Sequence, residues 1–154
     1  MPVLFIGHGS PMNGIEHNQF TEGWKNSVEY VSKPNAIVVV SAHWETTGTF
    51  VTAMPDPRII YDFGGFPREL FETKYPAAGS PETAREISEN IKKISIGLDK
   101  TSWGLDHGTW TILRHMYPNA DVPVIQLSLD YNQSPAGHFE FAKELSFLSV
   151  KIGN

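Results

Sequence analysis

The sequence predicts an α/β fold with three layers, in which helices cover both faces of a mainly parallel or mixed sheet. Three apolar runs rich in β-branched residues, at residues 3–6, 35–42 and 122–128, are typical of strands buried on both faces. A further short strand is expected at residues 94–98. Helical spacing occupies the stretches between these runs, and this alternation of strands and helices indicates a layered α/β domain.

Four helices are predicted from the spacing of apolar residues and from the residues at their ends. The second opens with Ser80-Pro81-Glu82, in which the serine can cap the helix and the proline suits its first turn. Asp106 is expected to cap the third helix in the same way. The predicted helices cover residues 18–31, 80–91, 107–116 and 134–148.

One domain is predicted for residues 1–154, since no linker, internal repeat or low-complexity tract divides the chain. Residues 53–79 are rich in proline, glycine and aromatic residues and have no clear period, and long irregular loops of this kind tend to be functional. The chain ends soon after its last predicted helix, where an α/β sheet would continue with another strand. We therefore expect the domain to be truncated.

Composition and charge exclude several classes of protein. The net charge of -5 and the lack of a basic stripe argue against nucleic acid as a partner. The absence of cysteine excludes disulfides, thiolate nucleophiles and cysteine-ligated metals. No apolar stretch is long enough to span a membrane, and the first strand lacks the basic flank of a secretion signal. We therefore expect a cytoplasmic protein without a membrane partner.

Motifs for nucleotide and hydrolase chemistry are absent. No glycine-rich phosphate-binding pattern follows a predicted strand, and neither HExxH nor Gly-x-Ser-x-Gly occurs. The chemistry is therefore sought among the histidines.

Two of the histidines directly follow predicted strands. His8 lies in Gly7-His8-Gly9, and His43 follows Ser41-Ala42. Ligands of open α/β sheets bind at the carboxyl ends of the strands, where these two side chains can converge. Two neutral imidazoles begin a non-haem iron or zinc site, which needs at least one more ligand. Either residue alone is equally consistent with a hydrogen-bonded loop histidine, whereas the pair favours a metal.

His107 occupies the first turn of a predicted helix. The helix dipole disfavours a charged imidazolium there, so a neutral ring can exchange a proton near physiological pH. This position suits an acid/base role or a hydrogen bond with substrate, and it equally suits an ordinary histidine at a helix start. Aromatic residues such as Trp44 and Phe63 are expected either in the core or in the lining of a pocket for an aromatic substrate.

Five sequence blocks, in order, resemble the DOPA 4,5-dioxygenase group of the class III extradiol ring-cleavage dioxygenases, in the LigB superfamily. The resemblance runs in register from Pro2 to about Leu148. The blocks are GHGSPMN at 7–13, SAHW at 41–44, DFGGFP at 62–67, YPA at 75–77 and WGLDHGTW at 103–110.

The resemblance implies a three-layer α/β/α fold and a metal centre with His8 and His43 as ligands. It implies that His107 is the catalytic histidine beside the metal. The group opens catechol rings with O2 at a non-haem metal, for which we expect Fe(II), with Zn(II) as a substitute in a purified sample. The residues expected to contact substrate are Ser10, Trp44, Phe63 and His107.

Members of this group continue beyond the matched region and carry further metal ligands there, so this chain alone is expected not to complete the centre. The expected partners, besides a catechol and O2, are a complementing C-terminal chain or further copies in a homo-oligomer. Two alternatives stay open. Gly-His-Gly-Ser after an opening strand also resembles small chelatases that insert a metal into tetrapyrroles, although those lack the SAHW and Asp-His-Gly blocks. The second alternative is a non-catalytic, partner-binding α/β domain.

Overall fold

Within residues 2–150, which the computed structural model describes, four strands form one mixed sheet. They are β1 (Ile37–Thr46), β2 (Thr49–Thr52), β3 (Ile96–Asp99) and β4 (Val124–Asp130). Their order in the sheet is β1-β4-β2-β3. β1 runs parallel to β4 and β2 runs parallel to β3, whereas β2 and β4 are antiparallel.

Six α-helices and a short 3-10 helix, Pro11–Gly14, accompany the sheet in this part of the chain. Ser80 caps its helix as predicted, because its side chain accepts a backbone N–H from the first turn, and Ser134 caps a second α-helix in the same way. No helix between residues 2 and 150 is both long and apolar enough to cross a lipid bilayer. The α-helices are α1 (Gln19–Ser27), α2 (Arg68–Glu72), α3 (Pro81–Asn90), α4 (His107–Met116), α5 (Pro135–Glu144) and α6 (Phe147–Val150).

Two apolar clusters pack on opposite faces of the sheet and confirm the three-layer prediction. Strand β4 alternates between them, because Val124 packs with Trp110 of α4 while Ile125 packs with Ile87 of α3 and Phe141 of α5. All five side chains are buried. Each face of the sheet is therefore covered by helices, and α4 lies on the face opposite to α3 and α5.

The predicted strand at residues 3–6 is wrong, because these residues adopt no regular structure. Val3 is 83% exposed and Phe5 is fully exposed. A strand requires a hydrogen-bonded neighbour, and residues 3–6 pair with none of the strands described. Strand β2 was not predicted, because its four residues are too few to show a period.

Asp106 occupies the N-cap position of α4, but its carboxylate does not cap the helix. Oδ1 instead accepts a hydrogen bond from Ser41 Oγ of β1 at 2.8 Å. Oδ2 accepts hydrogen bonds from the side-chain amide of Gln126 in β4 and from Trp103 Nε1. Gln126 Oε1 in turn accepts a hydrogen bond from Thr109 Oγ1 at 2.9 Å. This buried network joins the start of α4 to both β1 and β4.

Replacement of Gln126 is expected to destabilise the fold through Asp106. Gln126→Leu keeps a side chain of similar size but removes the amide donor, which leaves a buried carboxylate oxygen poorly paired. We expect the free energy of unfolding to fall by about 2–4 kcal/mol, as measured by urea denaturation. Gln133→Leu, at an exposed position, is the matched control. Equal losses in the two variants would contradict a role for the network.

Candidate metal centre

Three imidazole rings converge at one point of the structure, those of His8, His43 and His107. One ring nitrogen of each lies within 4.8 Å of the others, and the Nε2 atoms of His8 and His43 are 2.8 Å apart. Two nitrogens that bind the same ion at about 2.1 Å lie roughly 3.0–3.4 Å apart for octahedral or tetrahedral angles. The cluster therefore fits a metal ion with little movement of the rings.

Local backbone features place each of these rings. His8 precedes the 3-10 helix, and its carbonyl accepts a hydrogen bond from the Asn13 side chain across Gly9, whose φ is +62°. His43 lies where the register between β1 and β4 shifts, an irregularity that commonly re-aims a side chain beside a functional site. His107 is the buried first residue of α4 and directly follows Asp106, whose carboxylate joins the helix start to β1 and β4.

Asp62 also belongs to the site, and it is not among the residues predicted from the sequence. Its Oδ1 atom accepts the backbone N–H of His107 at 2.9 Å and lies 2.9 Å from His107 Nδ1. Its Oδ2 atom lies 4.0 Å from His43 Nδ1. The carboxylate opens the DFGGFP block beside Phe63, and its place in a long aromatic loop was the available indication.

The electrostatics of the cluster favour neutral imidazole at His8. Burial lowers the pKa of His8, and the adjacent His107 and His43 lower it further. Neutral imidazole is the form that binds metals. At Asp62, burial acts to raise the pKa, but the hydrogen bonds with His107 outweigh it and hold the pKa below its ordinary value. The site thus combines a neutral ring at His8 with an ionised carboxylate at Asp62.

The residues predicted to contact substrate occupy different environments. The ring of Phe63 meets that of His107 edge-on, with centroids 5.5 Å apart. Trp44 is buried and stacks in parallel on Trp103. Ser10 is exposed, and its hydroxyl accepts the backbone N–H of Met12 at the start of the 3-10 helix. Substrate contact by Ser10, Trp44 and Phe63 stays a prediction.

Residues 2–145 match the model of the family described as "Catalytic LigB subunit of aromatic ring-opening dioxygenase". The chain belongs to this LigB enzyme family. It is 52% identical over 148 residues to "4,5-DOPA dioxygenase extradiol" of Escherichia coli (strain K12), covering 96% of this chain and 55% of that relative. The Beta vulgaris protein of the same name is 41% identical over 150 residues, covering 94% of this chain and 56% of the relative.

A solved structure has a similar fold. The crystal structure of an uncharacterized Escherichia coli K12 protein superposes with a TM-score of 0.75 at 44% identity, covering 92% of this chain and 53% of that protein. The chain therefore spans about half the length of the relatives that it matches.

Gly108 leaves room for the cluster, and its replacement is expected to displace His43. A Cβ atom there would lie 2.8 Å from Ser41 Oγ and 2.9 Å from His43 Cδ2. We expect Gly108→Ala to weaken zinc binding at least tenfold in calorimetric titrations, because His43 must move. Gly23→Ala is the control, since a Cβ at Gly23, inside α1, meets nothing within 4 Å and alanine favours the helix. Unchanged zinc affinity in Gly108→Ala would refute this crowding.

The lowered pKa of His8 predicts that acid destabilises the metal-free chain. The unfolded chain binds a proton at this residue more readily than the folded one, so stability is complete above the ordinary histidine value of 6.5 and falls as pH decreases below it. Burial lowers the pKa of His115 as well, which adds to the effect. Urea unfolding between pH 8 and 5, with a chelator present, should show a shallower decline for His8→Gln than for the wild type. A decline of equal slope would disprove the contribution of His8.

Proposed function

We propose that this chain supplies the histidine centre of an extradiol dioxygenase that opens a catechol-type ring with O2. The convergence of the three histidine rings carries this proposal, together with the family match over residues 2–145. Relatives of similar sequence are named as extradiol DOPA dioxygenases, which favours a catechol as substrate. Because the chain spans only about half of those relatives, the activity is proposed for the chain together with additional polypeptide.

His8 and His43 are the proposed metal ligands. Their Nε2 atoms face each other, and imidazole nitrogen suits both Fe(II) and Zn(II). We take non-haem Fe(II) as the working metal and Zn(II) as a substitute in a purified sample. A bound ion supplies Lewis-acid binding of the catechol oxygens and of O2. His43 is exposed on one side, which leaves a route for substrate to the cluster.

His107 is the proposed catalytic residue. Its ring is buried, and its Nδ1 atom faces the Asp62 carboxylate, so Nε2 is the nitrogen available to a substrate. A neutral imidazole at this point can accept the proton of a catechol hydroxyl and return it to an oxygen of the opening ring. The edge of Phe63 packs against the same imidazole and restricts its orientation.

The proposed partners include polypeptide that provides the remaining ligands. A complementing C-terminal chain or a further copy of this chain would meet that need, and the exposed apolar residues 3–5 lie close to His8 in the sequence. The absence of a nucleic-acid partner is a prediction from the net charge of -5. A cytoplasmic location and the absence of a membrane partner likewise stay predictions. The chelatase alternative gains no support from a family match to dioxygenases.

Metal binding tests the proposed centre directly. We expect His8→Ala and His43→Ala each to weaken Zn(II) or anaerobic Fe(II) binding by at least about tenfold. The reason is that removal of either ligand ends chelation of the metal by the pair. Titration calorimetry and elemental analysis of the purified chain measure the affinity and stoichiometry. His138→Ala is the matched control, since this ring contacts the carbonyl of Asp130, away from the cluster. Metal retained in either variant would contradict the assignment of His8 and His43 as ligands.

Oxygen uptake then separates the enzyme from the non-catalytic alternative. The chain is loaded with Fe(II) and mixed with the part of the Escherichia coli relative that it does not match, supplied as a separate polypeptide. Catechol-dependent oxygen uptake by the mixture, lost in the His8→Ala variant, supports the proposal. A metal-loaded mixture that forms a complex but consumes no oxygen with any catechol favours a partner-binding domain.

A further inference from the structure

A short β-bridge aligns Asp62 with His107. Ile59 and Leu105 form an isolated parallel bridge, and the backbone N–H of Ile60 donates to the carbonyl of Leu105 at 2.8 Å. The two segments leave this bridge side by side. Asp62 and His107 follow it by three and two residues, respectively, so the carboxylate meets the first turn of α4. The contact is thus built into the backbone pairing of the two segments.

The distance between Asp62 and the His107 ring restricts where the hydrogen of that ring resides. Oδ1 lies 2.9 Å from Nδ1, although the ring nitrogen and the carboxylate are not aligned as an ideal hydrogen bond. Nδ1 is buried and has no better partner among the described residues. The negative charge of a carboxylate at this distance favours a hydrogen over a lone pair on Nδ1, whatever the exact alignment. The neutral ring is therefore stabilised with its hydrogen on Nδ1.

The second oxygen of the same carboxylate faces His43. Oδ2 is buried, makes no hydrogen bond with the described residues and lies 4.0 Å from His43 Nδ1. Its charge favours a hydrogen on Nδ1 of His43 as well, which leaves a lone pair on the Nε2 atom that faces His8 at 2.8 Å. One carboxylate therefore lies behind two rings, on the side away from the Nε2 atoms.

We propose that Asp62 is a positioning residue that keeps His107 and His43 in the Nδ1–H tautomer, with both Nε2 lone pairs directed into the histidine cluster. The use of those lone pairs for a metal and a substrate rests on the proposed function. The tautomer itself does not, because it follows from contacts of the metal-free chain. Carboxylates that orient metal-binding histidines in this way commonly change metal affinity by about 10–100-fold.

The test reads the tautomers by ¹⁵N NMR of histidine-labelled, metal-free chain at pH 8. In the wild type, His107 and His43 should both give the Nδ1–H pattern. Asp62→Ala removes both oxygens, and we expect both rings to shift towards the Nε2–H form. Asp56→Ala, at an exposed position of the same loop, is the control and should leave both patterns unchanged. A folded Asp62→Ala chain with wild-type patterns would overturn the proposal.

Asp62→Asn gives a sharper result and serves if the alanine variant does not fold. The backbone N–H of His107 needs an acceptor at the Oδ1 position, so it fixes the orientation of the amide. His107 should then keep its Nδ1–H form, while the amide NH₂ now faces His43 Nδ1 and should move that hydrogen to Nε2. No change at His43 would contradict the proposed role of Oδ2.

Cobalt binding separates this proposal from the proposed function. We expect Asp62→Asn to weaken Co(II) binding by about 10–100-fold and to alter its visible absorption, with little change in the thermal midpoint of the metal-free chain. Equal Co(II) affinity in Asp62→Asn and the wild type would overturn the positioning role. A wild-type chain that binds no Co(II) would instead count against the metal centre, and the tautomers would still decide the role of Asp62.

Discussion

The buried carboxylate of Asp106 holds together the elements that carry the site. It accepts hydrogen bonds from Ser41 of β1 and from Gln126 of β4, and it directly precedes His107 of α4. A buried polar group tolerates little displacement, because each lost hydrogen-bond partner leaves it with an uncompensated cost of desolvation. Two parallel strands and the start of a helix are thereby fixed relative to one another. The histidine cluster depends on that arrangement, since His43 lies two residues after Ser41.

A second carboxylate, that of Asp62, lies beside the rings of His107 and His43. Asp106 fixes the backbone beneath His107, whereas Asp62 acts on the imidazole itself through Nδ1. The loop that contains Asp62 is anchored beside α4 by the pairing of Ile59 with Leu105. Backbone hydrogen bonds therefore hold this loop in place, and they restrict the position of Asp62 three residues after the bridge. Histidine rings alone would have two tautomers and free rotation about χ2.

Local patterns predicted the elements whose determinants are local. Ser80 and Ser134 cap helices where the sequence indicated them, and α4 begins at His107 as expected. Long-range contacts account for the errors: the partner that residues 3–6 would need cannot be recognised from their own composition. Asp106 has the residue type of a cap, and only the proximity of Gln126 shows that its oxygens are used elsewhere. Asp62 was missed for the same reason, since its contacts are with His107, 45 residues away along the chain.

The exposed apolar residues near the start of the chain bear on which surfaces are open to backbone pairing. Phe5 is fully exposed, and Val3 and Leu4 beside it are exposed as well. Valine and phenylalanine are residues that favour β-structure. β1 lies at an edge of the sheet, so the backbone N–H and C=O groups on its outer side have no neighbouring strand among those described. Exposed apolar residues and an open sheet edge are both features through which polypeptides pair by backbone hydrogen bonds. The start of the chain and strand β1 therefore offer two separate surfaces for such pairing.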